Sequence, residues 1–135
     1  MSITRLNPDT MHKNPAFTQA IVVEGAVRTI YVGGQDGVNA KGEVVGPDIA
    51  NQSEQAFKNV IAALEAAGAT LDDVIKLTIY LVQGQSFQEA FAASQRVQQM
   101  RVPPTVSGLM VAGLANPQYL IEIEAIAVIE AGAKQ

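Results

Sequence analysis

Residues 121–130, IEIEAIAVIE, read as a β-strand with two unlike faces. Successive side chains of a strand point to opposite sides. Tyr119, Ile121, Ile123, Ala125, Ala127 and Ile129 therefore make an apolar face suited to packing beneath helices. The other parity holds Leu120, Glu122, Glu124, Ile126 and Val128, apolar at both ends and anionic in the middle. Such a face is either wet or covered by a partner that leaves space around the acids.

Working outward, VIKLTIYLV at 74–82 predicts a second strand of the same kind. Ile75, Leu77, Ile79 and Leu81 would meet the helices, with Lys76, Thr78 and Tyr80 on the reverse. A helix is expected from Asp48, its N-cap, to Gly68, because Ile49, Ala56, Phe57, Val60, Ile61 and Leu64 recur at helical spacing. A second helix begins at SFQE, where Ser86 and Glu89 have capping-box spacing. Its stripe is Phe87, Ala90, Phe91, Ser94 and Val97. Pro103 and Pro104 then force an extended entry into TVSGLMVAGL.

Nearer the amino terminus, runs at 18–23 and 27–32 joined by Glu24-Gly25-Ala26 predict a hairpin. Gly33, Gly34 and Gly37 read as a tight turn or bulge. They are not a phosphate loop, since no Gly-Lys-Ser/Thr follows. NAKGEVVG predicts a turn and a short strand, and residues 1–13 an irregular segment. The whole describes one α+β domain over residues 1–135, a mixed five- to six-stranded sheet with two helices on one face. Two helices cover only one side of such a sheet. The bare side would carry an apolar patch of the kind that marks association. A homo-oligomer follows, with clefts where subunits meet and Glu122 or Glu124 lining one; the alternative is a salt bridge from either acid to Lys76.

Charged residues make up 16%, below the roughly 25% usual in soluble domains, which again points to surface hidden by association. A net charge of −4 and no cationic cluster argue against nucleic acid. Without cysteine there is no thiolate nucleophile or sulfur ligand, and the single His12 supports neither a metal centre nor a catalytic triad. No metal or other cofactor is expected. The opening residues lack a secretory h-region and no 18-residue apolar run suggests a membrane span, so a cytoplasmic protein is expected.

NPAFTQA, GGQDG, the stretch NQSEQAFKNVIAALEAAGATLDDVIKLTIYL, PPTVSGLMVAGL and IEIEAIAVI together resemble the Rid/YjgF family over about residues 14–129. The resemblance implies a chorismate-mutase-like fold, a homotrimer with the sheets in a central barrel, and small-molecule clefts between subunits. The best-known branch hydrolyses reactive 2-imino acids to 2-keto acids and ammonia. It holds the substrate carboxylate with the arginine of a Pro-x-Arg-Ser pattern, beside a tyrosine, an asparagine, a glycine and a glutamate. Matched to this chain, Gly34 is the glycine and Glu122 the glutamate that orders the attacking water. The tyrosine, asparagine and arginine positions hold Phe17, Phe91 and Val106.

An arginine binds a carboxylate through two charge-assisted hydrogen bonds, each contributing on the order of 1.5–3 kcal/mol. An isopropyl group in its place should weaken handling of a 2-imino acid at least tens-fold, taking about 1.36 kcal/mol per factor of ten. Arg101, five residues upstream, is the cation nearest in sequence and is expected at a solvated helix end. The expected site therefore has Glu122 as catalytic acid–base residue, with Phe17, Gly34, Phe91, Val106, Ser107 and Gly108 around the ligand. The expected function is binding or hydrolysis of a metabolite other than a simple 2-imino acid. The alternatives are a deaminase with a rearranged carboxylate site and a non-enzymatic chaperone-like or interaction trimer.

Overall fold

The computed structural model describes residues 1–97 and 99–132. Strand β6 (Ile121–Glu130) lies inside a four-stranded sheet of order β3-β6-β4-β5, with β3 at Val27–Asp36, β4 at Val74–Val82 and β5 at Thr105–Val111. It runs antiparallel to β3 and β4, while β4 and β5 are parallel and joined through helix α2 (Phe87–Gln95). Ile121, Ile123, Ala125, Ala127 and Ile129 are all buried against Ala56, Phe57, Val60 and Leu64 of helix α1 (Ile49–Ala66). The apolar parity of β6 is thus the floor of the core. Burying each large apolar side chain there stabilises the fold by roughly 1.5–3 kcal/mol.

The helix ends follow local chemistry. The Asp48 carboxylate accepts from the Asn51 backbone N–H at 3.0 Å. Gly68 closes α1 at φ +81°, and the Ala69 N–H donates to the Leu64 carbonyl at 2.9 Å. Ser86 caps α2 by accepting from the Glu89 N–H at 3.2 Å. Among the described residues no helix is long and apolar enough to cross a membrane.

Four features depart from expectation. Residues 1–13 are not irregular throughout: Ser2–Leu6 form β1, antiparallel to β2 (Ala20–Glu24) in a separate two-stranded sheet. The expected hairpin is absent; the chain bends at Gly25, φ +93°, between strands of two different sheets. β3 pairs with β6 instead, where Ile30 and Val32 stand opposite Ala127 and Ala125 on the core side. β2, with no fully buried residue of its own, takes β1. Where one five- to six-stranded sheet was expected, the six strands are split two and four. NAKGEVVG forms no strand; its Val44 makes an isolated bridge to the preceding Val38. Lastly, a bulge in β4 between Val74 and Lys76 puts Val74 in the core and leaves Ile75 half-buried.

The glycines of β3 do form the expected bulge, but the strand continues through them. Val32 pairs with Ala125 and Gln35 with Ile123, so three steps on β3 match two on β6. That extra residue decides what the bare sheet face carries.

Candidate functional site

A cavity of about 350 Å³ lies between the helices and the sheet. Phe17, Phe91, Val106 and Gly108 all line it, with Phe57, Phe87 and Ile123 among the other walls. Val106 and Gly108 project from β5 on the side of their β4 partners Leu77 and Ile79. The segment carrying Phe17 is fixed by Thr18, whose N–H donates to the Pro104 carbonyl at 2.8 Å and whose hydroxyl donates to Pro103 at 2.6 Å. Phe91 is 54% exposed and stands at the mouth. Gly108 lies close against Phe87: a Cβ there would meet the ring at 3.1 Å, so the ring would have to shift slightly. Among the described residues lining this cavity, none is charged.

Glu122 points away from it. On the reverse of β6, Glu122 is the cross-strand partner of Asp36 on β3 and of Tyr80 on β4. Without the bulge Asp36 would share the parity of Val32 and face the helices; the inserted residue turns it toward Glu122. Asp36 Oδ1 is closed off from solvent and meets no donor. Burial, then the charge of Glu122, push the Asp36 carboxyl from its ordinary 3.8 up to about 7. Protonation of Asp36 relieves its repulsion by Glu122 and supplies the hydrogen that the carboxyl otherwise lacks. Gly34 makes this possible, since a Cβ on it would fall 2.5 Å from Glu122 Cδ and Oε2.

Neighbouring polar groups are committed. Glu124 accepts from the Tyr80 hydroxyl at 2.7 Å; that bond comes first among the causes that raise the Tyr80 phenol above its ordinary range. Neither acid meets Lys76, whose register partner is Ile126. Asn59 of α1 donates to the Asp36 and Val38 carbonyls at 3.1 and 2.9 Å and holds the end of β3. Arg101 turns to Asp72 at 3.0 Å, away from the cavity. The described residues contain no cluster of three His, Cys, Asp or Glu side chains suited to a metal.

The nominated residues thus fall into two groups on opposite faces of one sheet. Phe17, Phe91, Val106 and Gly108 share the cavity; Gly34 and Glu122 share the reverse face, as does the exposed Ser107, partner of Thr78. Asp36 is the residue that sequence reasoning missed. Its signal was the glycine pair two positions upstream, which marks a possible bulge without saying whether one residue or none is inserted.

A family model described as endoribonuclease L-PSP matches residues 9–129. A RutC family protein of Pyrococcus horikoshii is 37% identical over 123 residues, covering 82% of this chain and 85% of the relative. The 2-iminobutanoate/2-iminopropanoate deaminase of Rattus norvegicus is 36% identical over 114 residues, covering 84% and 80%. The crystal structure of YyfB, a Rid-family protein of Yersinia pestis, superposes with a TM-score of 0.82 at 33% identity, covering 96% of this chain and all of that one. On sequence and fold together, the protein belongs to the endoribonuclease L-PSP family, whose members also carry the names Rid, YjgF and RutC.

Proposed function

We propose that the protein is a homotrimer whose intersubunit clefts bind and hydrolyse a small, uncharged metabolite, and that simple 2-imino acids are not its substrates. One observation carries this: Val106, matched by resemblance to the family's arginine, lines a cavity whose described lining holds no charged side chain. A carboxylate entering it would shed its hydration and find no cation in return. The relatives named as 2-imino acid deaminases support hydrolysis of a carbon–nitrogen bond as the chemistry.

The need for two copies follows from the division of the site. A cleft that uses both the apolar cavity and the acid pair must take them from different subunits, because one sheet separates them within a chain. Tyr31 (76% exposed) and Leu109 (43%) on the bare sheet face give such a contact its apolar area.

The acid pair suits hydrolysis. Glu122 takes a proton from water as the oxygen attacks an electrophilic carbon, while Asp36 gives its proton to the heteroatom of the bond being broken or reduced in order. The pair begins and ends with one proton, so no further acid or base is required. An RNA substrate, which the family description would suggest, finds a chain of net charge −4.

Generation of 2-imino acids in situ with an amino-acid oxidase tests the proposal. Added protein should not hasten their disappearance. Clearance with kcat/KM on the order of 10⁴ M⁻¹s⁻¹ or more would overturn it.

A further inference from the structure

Two adjacent polar side chains of α1, Gln52 and Ser53, are fully buried, at 1% and 0% exposure. Their surroundings differ sharply. Gln52 is saturated: its amide donates to the Gly46 and Gln118 carbonyls at 3.1 and 2.9 Å, and its oxygen accepts from the Leu120 N–H at 2.9 Å. It pins the loop that leads into β6. The Ser53 hydroxyl has no hydrogen-bond partner at all, not even a helix carbonyl of the preceding turn. It lines the 350 Å³ cavity.

A stranded hydroxyl is unfavourable, and alanine would occupy nearly the same volume without it. Packing therefore does not account for serine. The cavity's remaining polar side chains do not reach inward as partners: Ser94 donates to the Phe91 carbonyl at 2.7 Å, and Gln95 and Gln99 are exposed near the mouth. The nearest charges on α1 are also engaged elsewhere, with Glu54 facing Lys58 and Arg96. The hollow thus offers apolar walls, four phenylalanine rings and one unpaired polar atom, the Ser53 hydroxyl. Its volume is ample, since a hollow of roughly 150 Å³ already takes benzene.

We infer that this cavity receives a neutral, mainly apolar small molecule carrying one hydrogen-bonding group, and that the Ser53 hydroxyl is the partner of that group. The inference rests on the proposed uncharged substrate and specifies its recognition. A carbonyl or amide set on an aromatic or short aliphatic body meets the requirement: the body fills the apolar volume and the polar end satisfies Ser53. A hydroxyl serves as donor or acceptor, so Ser53 selects for polarity at that point and against formal charge.

Binding to the intact protein separates the possibilities, measured by calorimetry or NMR titration with phenylacetamide, phenylacetate and ethylbenzene. Phenylacetamide should bind, and phenylacetate at least tenfold more weakly. The variant Ser53→Ala should weaken phenylacetamide about fivefold, the worth of one neutral hydrogen bond, and leave ethylbenzene unchanged. Without ligand, Ser53→Ala should melt no lower than wild type, because it removes a stranded hydroxyl. Equal loss of the amide and the hydrocarbon, or a lower melting temperature of the free variant, would overturn the role of Ser53 while leaving the uncharged substrate in place. Tighter binding of phenylacetate would overturn both. No binding of any probe at millimolar concentration would show the cavity closed in the assembled protein and would also overturn the inference.

Discussion

Asp36 and Glu122 stand opposite each other across β3 and β6, on the sheet face that the helices leave bare. Their meeting depends on one inserted residue in β3 and on the absence of a side chain at Gly34. The other groups facing this spot are Tyr80 from β4 and Glu124 from β6, tied to each other, with the neutral Asn59 and Gln55 of α1 behind the strand end. No cation stands in that set to hold both carboxyls ionised.

Stability should therefore depend on pH in a stated direction. Asp36 is raised from 3.8 to about 7 in the folded chain. The stability linked to its proton is fully present below the unfolded value and is lost as pH rises through the folded one. Thermal melts should show Tm falling between pH 4 and pH 8, most steeply toward neutrality. Asp36→Asn should flatten that fall. An unchanged slope in the variant would place the titration elsewhere.

Glu122→Gln keeps the shape of the side chain and gives Asp36 an amide donor in place of a carboxylate. At pH 6 the Tm should stay within a few degrees of wild type. At pH 8 the variant should be the more stable, since like-charge repulsion is gone. A large drop at both pH values would make the Glu122 carboxylate a structural element.

Gly34→Ala tests the geometry instead of the charge. The added methyl collides with the end of the Glu122 side chain, which is flexible and can turn aside. The fold should survive, at a loss of roughly 1–3 kcal/mol, and the fall of Tm toward neutral pH should shrink because the two acids no longer touch. Circular dichroism melts across pH would show both effects.

How much of this was legible in sequence depends on whether a side-chain period survives. β6 alternates from Ile121 to Ala127, so its two faces could be assigned there residue by residue, although Val128, expected on the bare face, is buried as well; α1 announces its ends through Asp48 and Gly68. Bulges break the period. One moved Ile75 out of the core and another moved Asp36 onto the Glu122 face, and neither leaves a mark that a two-residue alternation detects. β1 was missed because its short SITRL run buries nothing completely and finds its partner beyond a 13-residue connection. The cavity residues Phe17, Phe91 and Val106 were found by resemblance, since no local pattern links three positions so far apart in the chain.

Val106→Arg should restore part of the missing chemistry at a structural cost. A guanidinium in an uncharged cavity loses hydration without a carboxylate partner, so stability should fall by roughly 1–3 kcal/mol. In exchange, 2-imino acids produced by an amino-acid oxidase should be cleared measurably faster than with wild type, more so when Phe17→Tyr is added. Absence of any gain in a variant that is folded and correctly assembled would mean that Gly34 and Glu122 are not placed for this reaction.

Every property assigned to the cleft depends on two subunits bringing the cavity and the acid pair together. The molar mass in dilute buffer, from light scattering coupled to gel filtration, tests this most directly. A single species near three times the chain mass of 14.3 kDa is expected. A stable monomer at 14.3 kDa would leave Val106 and Glu122 on opposite sides of one sheet and would contradict it.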